Sequence, residues 1–372
     1  MICALSLAVM QLQELNLVNF RNYTDVKVRF LNDVVVFTGQ NGSGKTNLLD
    51  AIHYLSFCKS FLNPVDSQNI KGNEPFFVIQ GLYTHEERDE AIYCGMKRGL
   101  KKQFKRNGKE YERLSEHIGL IPLVVISPSD IALIREGSEE RRRFIDSVIS
   151  QYDKPYLENL IRYNRLIQQR NASLRQGNVP DELLDIWDEQ LPLYAIPVFE
   201  ARKAFFAQIA PLINSYYSFI SGARETADIR YESQLHDQDF STLLRSSREK
   251  DRIMHYSTAG VHKDDLGMVL NDFPLRKYAS QGQQKSFLIA LKLAEFDVIR
   301  DEKGLKPLLL LDDIFEKLDQ ERITALMTLV NQNHFGQLFI TDTHAERVAE
   351  ILRGINCSFD QFPINEGKIS ET

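Results

Sequence analysis

Gly39-Gln40-Asn41-Gly42-Ser43-Gly44-Lys45-Thr46 matches the phosphate-loop pattern G-x-x-x-x-G-K-[ST] residue for residue. Before it stands Val34-Val35-Val36-Phe37, an apolar run of the kind a buried strand needs. After it, Asn47 to Leu55 returns apolar residues near helical spacing. Strand, loop and helix follow in the order that separates a working phosphate loop from a Gly-rich turn that is only a turn. The glycines let backbone N–H groups converge on phosphate oxygens, and the helix start adds its partial positive charge. Lys45 is then placed to reach the β- and γ-phosphates of a nucleotide, and Thr46 to ligate Mg²⁺.

A chain of 372 residues accommodates two domains, or one domain with a large insertion, and buries an ample core. No run approaches the ~18 apolar residues of a spanning helix, so a membrane partner would be a separate chain. Met1 to Val9 is apolar without a basic start, and reads as a short extension ahead of Met10 and not as a signal peptide. The four cysteines are scattered without C-x-x-C spacing, which argues for a reducing cytoplasm and against a zinc site or a disulfide frame. A net charge of −6 counts against a nucleic-acid partner, because phosphate contacts need Lys and Arg. Local clustering matters more. From Lys97 to Lys109 the chain carries Lys97, Arg98, Lys101, Lys102, Lys105, Arg106 and Lys109 with no acid among them.

In chain order, Leu12 to Phe30 alternates around the turn Arg21 to Asp25 and reads as a β-hairpin feeding the phosphate-loop strand. Arg21 either folds back toward a nucleotide or is a solvated turn arginine. Strands are expected at Phe76 to Ile79 and Glu90 to Cys94. A hairpin follows, with arms Gln103 to Arg106 and Lys109 to Tyr111 about Asn107-Gly108. Its Lys101, Lys102, Lys105, Arg106 and Lys109 either track a nucleic-acid backbone or protect a solvated sheet edge. After the strand Pro122 to Ile126 the periodicity turns helical to about Tyr217. The stretches Lys154 to Leu174 and Glu182 to Tyr217 are expected to form an antiparallel pair. Leu157, Leu160, Ile161 and Asn164 are expected on its packed face, with Arg162, Arg165 and Arg170 on the other. Arg141-Arg142-Arg143 is an interface to phosphate or an exposed helical face, and Arg224 to Tyr256 is polar without a clear pattern. The fold class is α/β: a phosphate-loop ATPase head with an inserted helical lobe and a short antiparallel arm. Its boundaries fall at residues 1–125 for the first part of the head, 126–275 for the lobe with its arm at 154–217, and 276–372 for the remainder.

Two further stretches complete a nucleotide site. Pro307-Leu308-Leu309-Leu310-Leu311-Asp312-Asp313 is a buried strand closed by two acids, of which Asp312 would hold Mg²⁺ and Asp313 would polarise the attacking water. Upstream, Ser280-Gln281-Gly282-Gln283-Gln284-Lys285 opens a helix. Phosphate loop, Ser-x-Gly helix start, acid-tipped strand and Glu316-Lys317-Leu318-Asp319 follow in an order that resembles ABC-type ATPases. That resemblance implies that Ser280, Gly282 and Gln283 complete the γ-phosphate site of an opposite subunit, and so a dimer with two shared sites. Thr343 and His344, at the end of the strand Gln337 to Thr341, are candidates for sensing the γ-phosphate.

Nearly end to end the chain resembles the RecF family of bacterial recombination mediators. The resemblance rests on Asn19-Phe20-Arg21-Asn22-Tyr23, the phosphate loop, Ser127-Pro128-Ser129-Asp130, Gly137 with Arg141 to Asp146, Gly260 to Asp265, Ser280 to Lys285 and Leu310 to Phe315 with Leu318-Asp319. Lys263 stands where an arginine is more usual. The resemblance implies ATP and Mg²⁺ as cofactors and a slow, DNA-stimulated ATPase that dimerises on ATP. It also implies binding to duplex DNA and to single-strand/double-strand junctions, and a cytoplasmic role in replication, recombinational repair and the SOS response to DNA damage. RecR, with RecO, is the implied partner in loading recombinase at gaps. Two other readings compete. The basic hairpin and Asp313 count against a transport ATPase serving a permease. For a scaffold head, an arm of about 20 residues, ~30 Å, is too short.

Overall fold

The computed structural model describes residues 8–86, 88–177, 179–222, 225–315, 320–332 and 334–370. Glu316 to Asp319 and the first seven residues of the N-terminal extension lie outside the described residues. The chain divides into two compact units. One gathers residues up to Asp130 and from Glu295 onward, and the other runs from Ile131 to Ala294.

The first unit begins with β1 (Ala8–Phe20), β2 (Tyr23–Arg29) and β3 (Val34–Thr38), then α1 (Lys45–Phe57). It continues through β4 (Phe76–His85), β5 (Arg88–Lys97), β6 (Gln103–Arg106), β7 (Lys109–Glu110) and β8 (Leu123–Ile126). The hairpin β1–β2 turns at Arg21 and Asn22, tighter than the sequence suggests. Asn107 (φ 49°) and Gly108 (φ 79°) both take left-handed backbone, as the two-residue turn between β6 and β7 requires.

The second unit contains α2 (Ala132–Arg135), α3 (Ser138–Tyr152), α4 (Lys154–Gln176) and α5 (Asp181–Ser221). The polar stretch that the pattern left unassigned forms β9 (Ala227–Glu232) and α6 (Phe240–Met254). Then come β10 (Asp265–Leu270), β11 (Phe273–Pro274), α7 (Leu275–Tyr278) and the start of α8 (Gln281–Lys303). β9, β10 and β11 make a small antiparallel sheet. Helices α4 and α5 are the expected pair, α4 being started by Asp153, whose side chain accepts the Tyr156 N–H at 2.8 Å.

The packed face of α4 differs from the expected one. It is Tyr156, Leu160, Tyr163, Ile167, Arg170 and Leu174, while Ile161 and Asn164 are exposed. Arg170 is buried because Asp251 (2.6 Å) and Asp188 (3.5 Å) meet its guanidinium, and Ser257 Oγ accepts a further N–H at 2.8 Å. Arg141 and Arg142 are not a free basic patch either. Arg141 forks onto Asp265 at 2.6 and 2.9 Å, Arg142 donates to the Asp264 carbonyl, and only Arg143 stays on the surface with Glu139 and Glu140. Arg202, 2% exposed, ties Asp264 (2.6 Å), Asp146 (2.8 Å) and the Val261 carbonyl (2.7 Å) together.

The first unit is completed by the remainder of α8, β12 (Leu305–Lys306), β13 (Leu308–Leu311), α9 (Gln320–Asn331), β14 (Leu338–Asp342), α10 (Ala345–Gly354), β15 (Phe359–Asn365) and β16 (Lys368–Ile369). Two sheets result. One is largely antiparallel, ordered β12-β1-β4-β5-β6-β7 with β2 on the side of β1. The other is ordered β16-β15-β3-β14-β13-β8 and is parallel except for β16. Its central strands read as continuous apolar runs because both faces are covered: every residue of β3, β13 and β14 is buried. Leu48, Ile52 and Leu55 of α1 share a core with Leu15, Leu17, Phe77, Ile79 and Leu310. Thr38 pairs in register with Asp342, and Leu311 with Ile340 and Ile126, so the carboxyl ends of these strands reach one edge. Ligands of open parallel sheets bind at such edges.

Each unit also buries a neutral histidine. His117 donates Nε2–H to the Leu55 carbonyl and accepts at Nδ1 from Tyr111, while His262 does the same with Ser257 and Tyr163. Burial pushes both imidazoles down to about 4. The unfolded chain takes up these protons near pH 6.5 but the folded chain only near pH 4, so protonation favours unfolding as pH falls through that window. The urea midpoint is therefore expected to fall from pH 7 to pH 5, with His117→Gln and His262→Gln each flattening the slope. A midpoint constant over that range would contradict this.

Candidate nucleotide-binding site

The phosphate loop lies where β3 ends, at the common edge of the parallel sheet. Its shape is fixed from outside by the turn between β1 and β2. Asn22 Nδ2 donates to the Ser43 carbonyl at 2.8 Å, and the Tyr23 hydroxyl to that of Gly44 at 3.0 Å. Asn22 Oδ1 accepts from Asn47 at 2.8 Å. Gly44 has φ 120°, and a Cβ there would stand 2.5 Å from Asn22 Nδ2, so this close brace excludes any side chain. Asn22 and Tyr23 are working parts whose roles the sequence did not disclose. No side chain caps the start of α1, so its first N–H groups are left to the loop.

Lys45 is 3% exposed and points its ammonium back along the loop, donating to the carbonyls of Gly39 (2.8 Å) and Gln40 (3.3 Å). Asp313 Oδ1 stands 3.9 Å from Nζ. Thr46 donates to Asp312 Oδ1 at 2.8 Å, and so does Thr341 of β14, also at 2.8 Å. Thr341 Oγ1 in turn accepts the Asp313 N–H at 2.9 Å. Burial raises the pKa of Asp312, and the bonds from Thr341 and Thr46 pull it back. Lys45, Thr46, Asp312 and Asp313 are therefore brought together from segments far apart in sequence.

Asp342, buried, accepts from Arg347 (2.7 Å) and from the His344 N–H (2.6 Å), while its carbonyl takes the Gly39 N–H. Thr343 is half-buried and His344 exposed, at the start of α10. Arg21 is not a solvated turn residue. It bonds Asp50 through Nε (3.2 Å) and Nη2 (2.8 Å), with Ser60 Oγ taking Nη2 at 2.9 Å, so the turn is clamped to α1. In the second unit, Ser280 is exposed and caps α8 reciprocally. Its Oγ accepts the Gln283 N–H at 3.3 Å, and Gln283 Oε1 accepts the Ser280 N–H at 2.6 Å. Gln283 also reaches Glu225, and Gly282 is half-buried.

The basic hairpin is less free than its sequence. Lys102 is drawn inward to Asp66 (2.8 Å), Tyr54 and the Cys58 carbonyl, and Arg106 forks onto Glu90. Lys105 lies over the Tyr93 ring, while Lys101 and Lys109 are exposed. Two of the five residues expected to face a nucleic acid thus hold the hairpin itself.

Mg²⁺ fits the oxygen pair at α1 and β13. Thr46 Oγ1 and Asp312 Oδ1 are hard donors 2.8 Å apart, and no three-residue His/Cys/Asp/Glu cage exists among the described residues. Mg²⁺ favours such sparse protein ligation, completing its shell with substrate phosphates and water.

Residues 14–334 match a family model described as an AAA domain. The chain is 50% identical over 364 residues to the DNA replication and repair protein RecF of Bacteroides thetaiotaomicron, covering 97% of this chain and 99% of that one. A solved structure of the recombination mediator protein RecF with ATP superposes with a TM-score of 0.89 at 29% identity, covering 100% of both chains. An Smc head domain from Pyrococcus furiosus shares the fold at a TM-score of 0.58 and 15% identity, over 97% of this chain and 95% of that one. The identity to the Bacteroides thetaiotaomicron protein over nearly the whole length of both chains places this chain in one family: it belongs to the RecF proteins of DNA replication and repair.

Proposed function

We propose that the protein is an ATP-dependent DNA-binding switch of recombinational repair, in which ATP joins two copies and slow hydrolysis releases them. The observation that carries the reading is the joint Thr46–Asp312–Thr341 with Lys45 lodged between the loop carbonyls and Asp313. In that joint the loop amides and Lys45 bind and orient the β- and γ-phosphates, while Thr46 and Asp312 hold Mg²⁺. Mg²⁺, when bound, neutralises charge on the phosphates. Asp313 accepts a hydrogen bond from the attacking water, with Thr343 or His344 close to the γ-phosphate. The exposed Ser280 supports a shared site, because it lies on the surface at a helix start, where the nucleotide of a second copy can reach it.

On this reading DNA is held by the exposed Lys101 and Lys109, with Lys105 beside them. Duplexes and single-strand junctions are the substrates, and RecR with RecO the partners, in keeping with the RecFOR pathway named for the solved relative. ATP can drive association only by binding the dimer better than the monomer.

The test is the mass of the protein by light scattering, with and without ATP and Mg²⁺, alongside DNA binding over a salt series. The expected result is a monomer that doubles on ATP and gains DNA affinity. Ser280→Arg should bind ATP normally yet dimerise at least ~10-fold more weakly, the arginine occupying the space a nucleotide phosphate needs. Retained dimerisation in that variant, or DNA affinity indifferent to ATP, would refute the switch.

A further inference from the structure

We infer that Thr341 is a positioning residue for hydrolysis, holding both acids at the end of β13 through one hydroxyl; this rests on the ATPase reading above. Thr341 lies on β14, between β3 and β13, and is 0% exposed among Leu338, Phe339 and Ile340, which are buried as well. A buried parallel strand ordinarily selects Val or Ile at such a place, so a hydroxyl there needs polar partners. It has two. A carboxylate only accepts and an amide N–H only donates. The hydroxyl proton therefore goes to Asp312 Oδ1 at 2.8 Å, and its oxygen lone pair takes the Asp313 N–H at 2.9 Å.

The second bond has the larger consequence. Asp313 has φ 44°, a left-handed backbone that a non-glycine residue keeps only where its surroundings impose it. The Thr341 oxygen fixes the peptide of Asp313, and this sets its carboxylate 3.9 Å from Lys45 Nζ. Thr46 donates to the same Asp312 oxygen, so loss of Thr341 leaves Asp312 one hydroxyl, whereas the bond from the Asp313 N–H to the Thr341 oxygen is removed outright. Its peptide then turns toward ordinary backbone, and the carboxylate leaves the place from which it would orient water. Thr341 acts through the two acids and not on substrate, so it should matter for turnover more than for binding.

The experiment compares steady-state ATP hydrolysis by Thr341→Val, which keeps shape and loses the hydroxyl, with Thr341→Ser, which keeps the hydroxyl. Removing an outer partner of this kind typically costs ~10–100-fold in activity. A fall of that size in kcat is expected for Thr341→Val, with KM for ATP within about threefold of the parent. Thr341→Ser should return kcat to within about threefold. Melting temperatures identify any variant that fails to fold. If Thr341→Val does, Thr341→Cys against Thr341→Ser gives the same decision, the thiol being a poor donor and acceptor. A hydroxyl-free variant with the parent kcat, or Ser as slow as Val, would overturn the inference. Lys45→Met separates this from failure of the ATPase reading. Parent turnover that this variant leaves intact would sink the reading itself. Turnover lost in Lys45→Met but intact in Thr341→Val would sink only the role of Thr341.

Discussion

Lys45→Met is expected to weaken ATP binding at least ~100-fold, about 3 kcal/mol, by the loss of charge-assisted hydrogen bonds from a buried ammonium. The side chain is 3% exposed and its Nζ already sits between the Gly39 and Gln40 carbonyls. Its position is therefore set in advance, and little ordering entropy is spent when phosphate arrives. Methionine matches the stem and removes the charge, so the core around Leu48 and Leu49 should remain intact. Calorimetric titration with ATP measures the loss, and circular dichroism checks the fold. An affinity within threefold of the parent would mean that the loop does not cradle phosphate.

Arg202→Ala is expected to destabilise the second unit by about 3–5 kcal/mol, the cost of breaking one side of a buried ion pair. Asp264 is 1% exposed, and burial raises its pKa while Arg202 pulls it down. Without Arg202 that carboxylate keeps the Tyr231 hydroxyl at 2.6 Å but loses the guanidinium that bonds it at 2.6 Å. Asp146 and the Val261 carbonyl lose a donor as well. Urea unfolding measures the change. The double variant with Asp264→Asn should cost less than the sum of the two single changes, because both remove one interaction. A loss below 1 kcal/mol would show the cluster to be solvated in practice.

How much of this could be read from the chain depends on how local each constraint is. The phosphate loop is legible because its whole chemistry lies in one contiguous stretch, and the acid-tipped strand and Ser280 cap are legible for the same reason. Asn22, Tyr23 and Thr341 were opaque because their partners, Ser43, Gly44 and the acids at 312 and 313, come from other strands. Arg170 and Lys102 misled the pattern in another way. Charge argues for the surface, but Asp251 and Asp188 meet Arg170 inside and the half-buried Asp66 draws Lys102 inward, and only the fold reveals such pairs. The stretch before Tyr256 hid β9 because its partner strand, β10, lies beyond α6.

The assembly of the parallel sheet has a consequence during synthesis. β3 is hydrogen-bonded on its two sides to β14 and β15, which end at Asp342 and Asn365. At a ribosomal pace of roughly 5–20 residues per second, the cradle strand emerges some 15–60 s before either neighbour exists. Through that interval its valines are bare and a chaperone has reason to hold them. The sheet that carries the phosphate loop is therefore closed around β3 only once β14 and β15 have been made, near the end of synthesis.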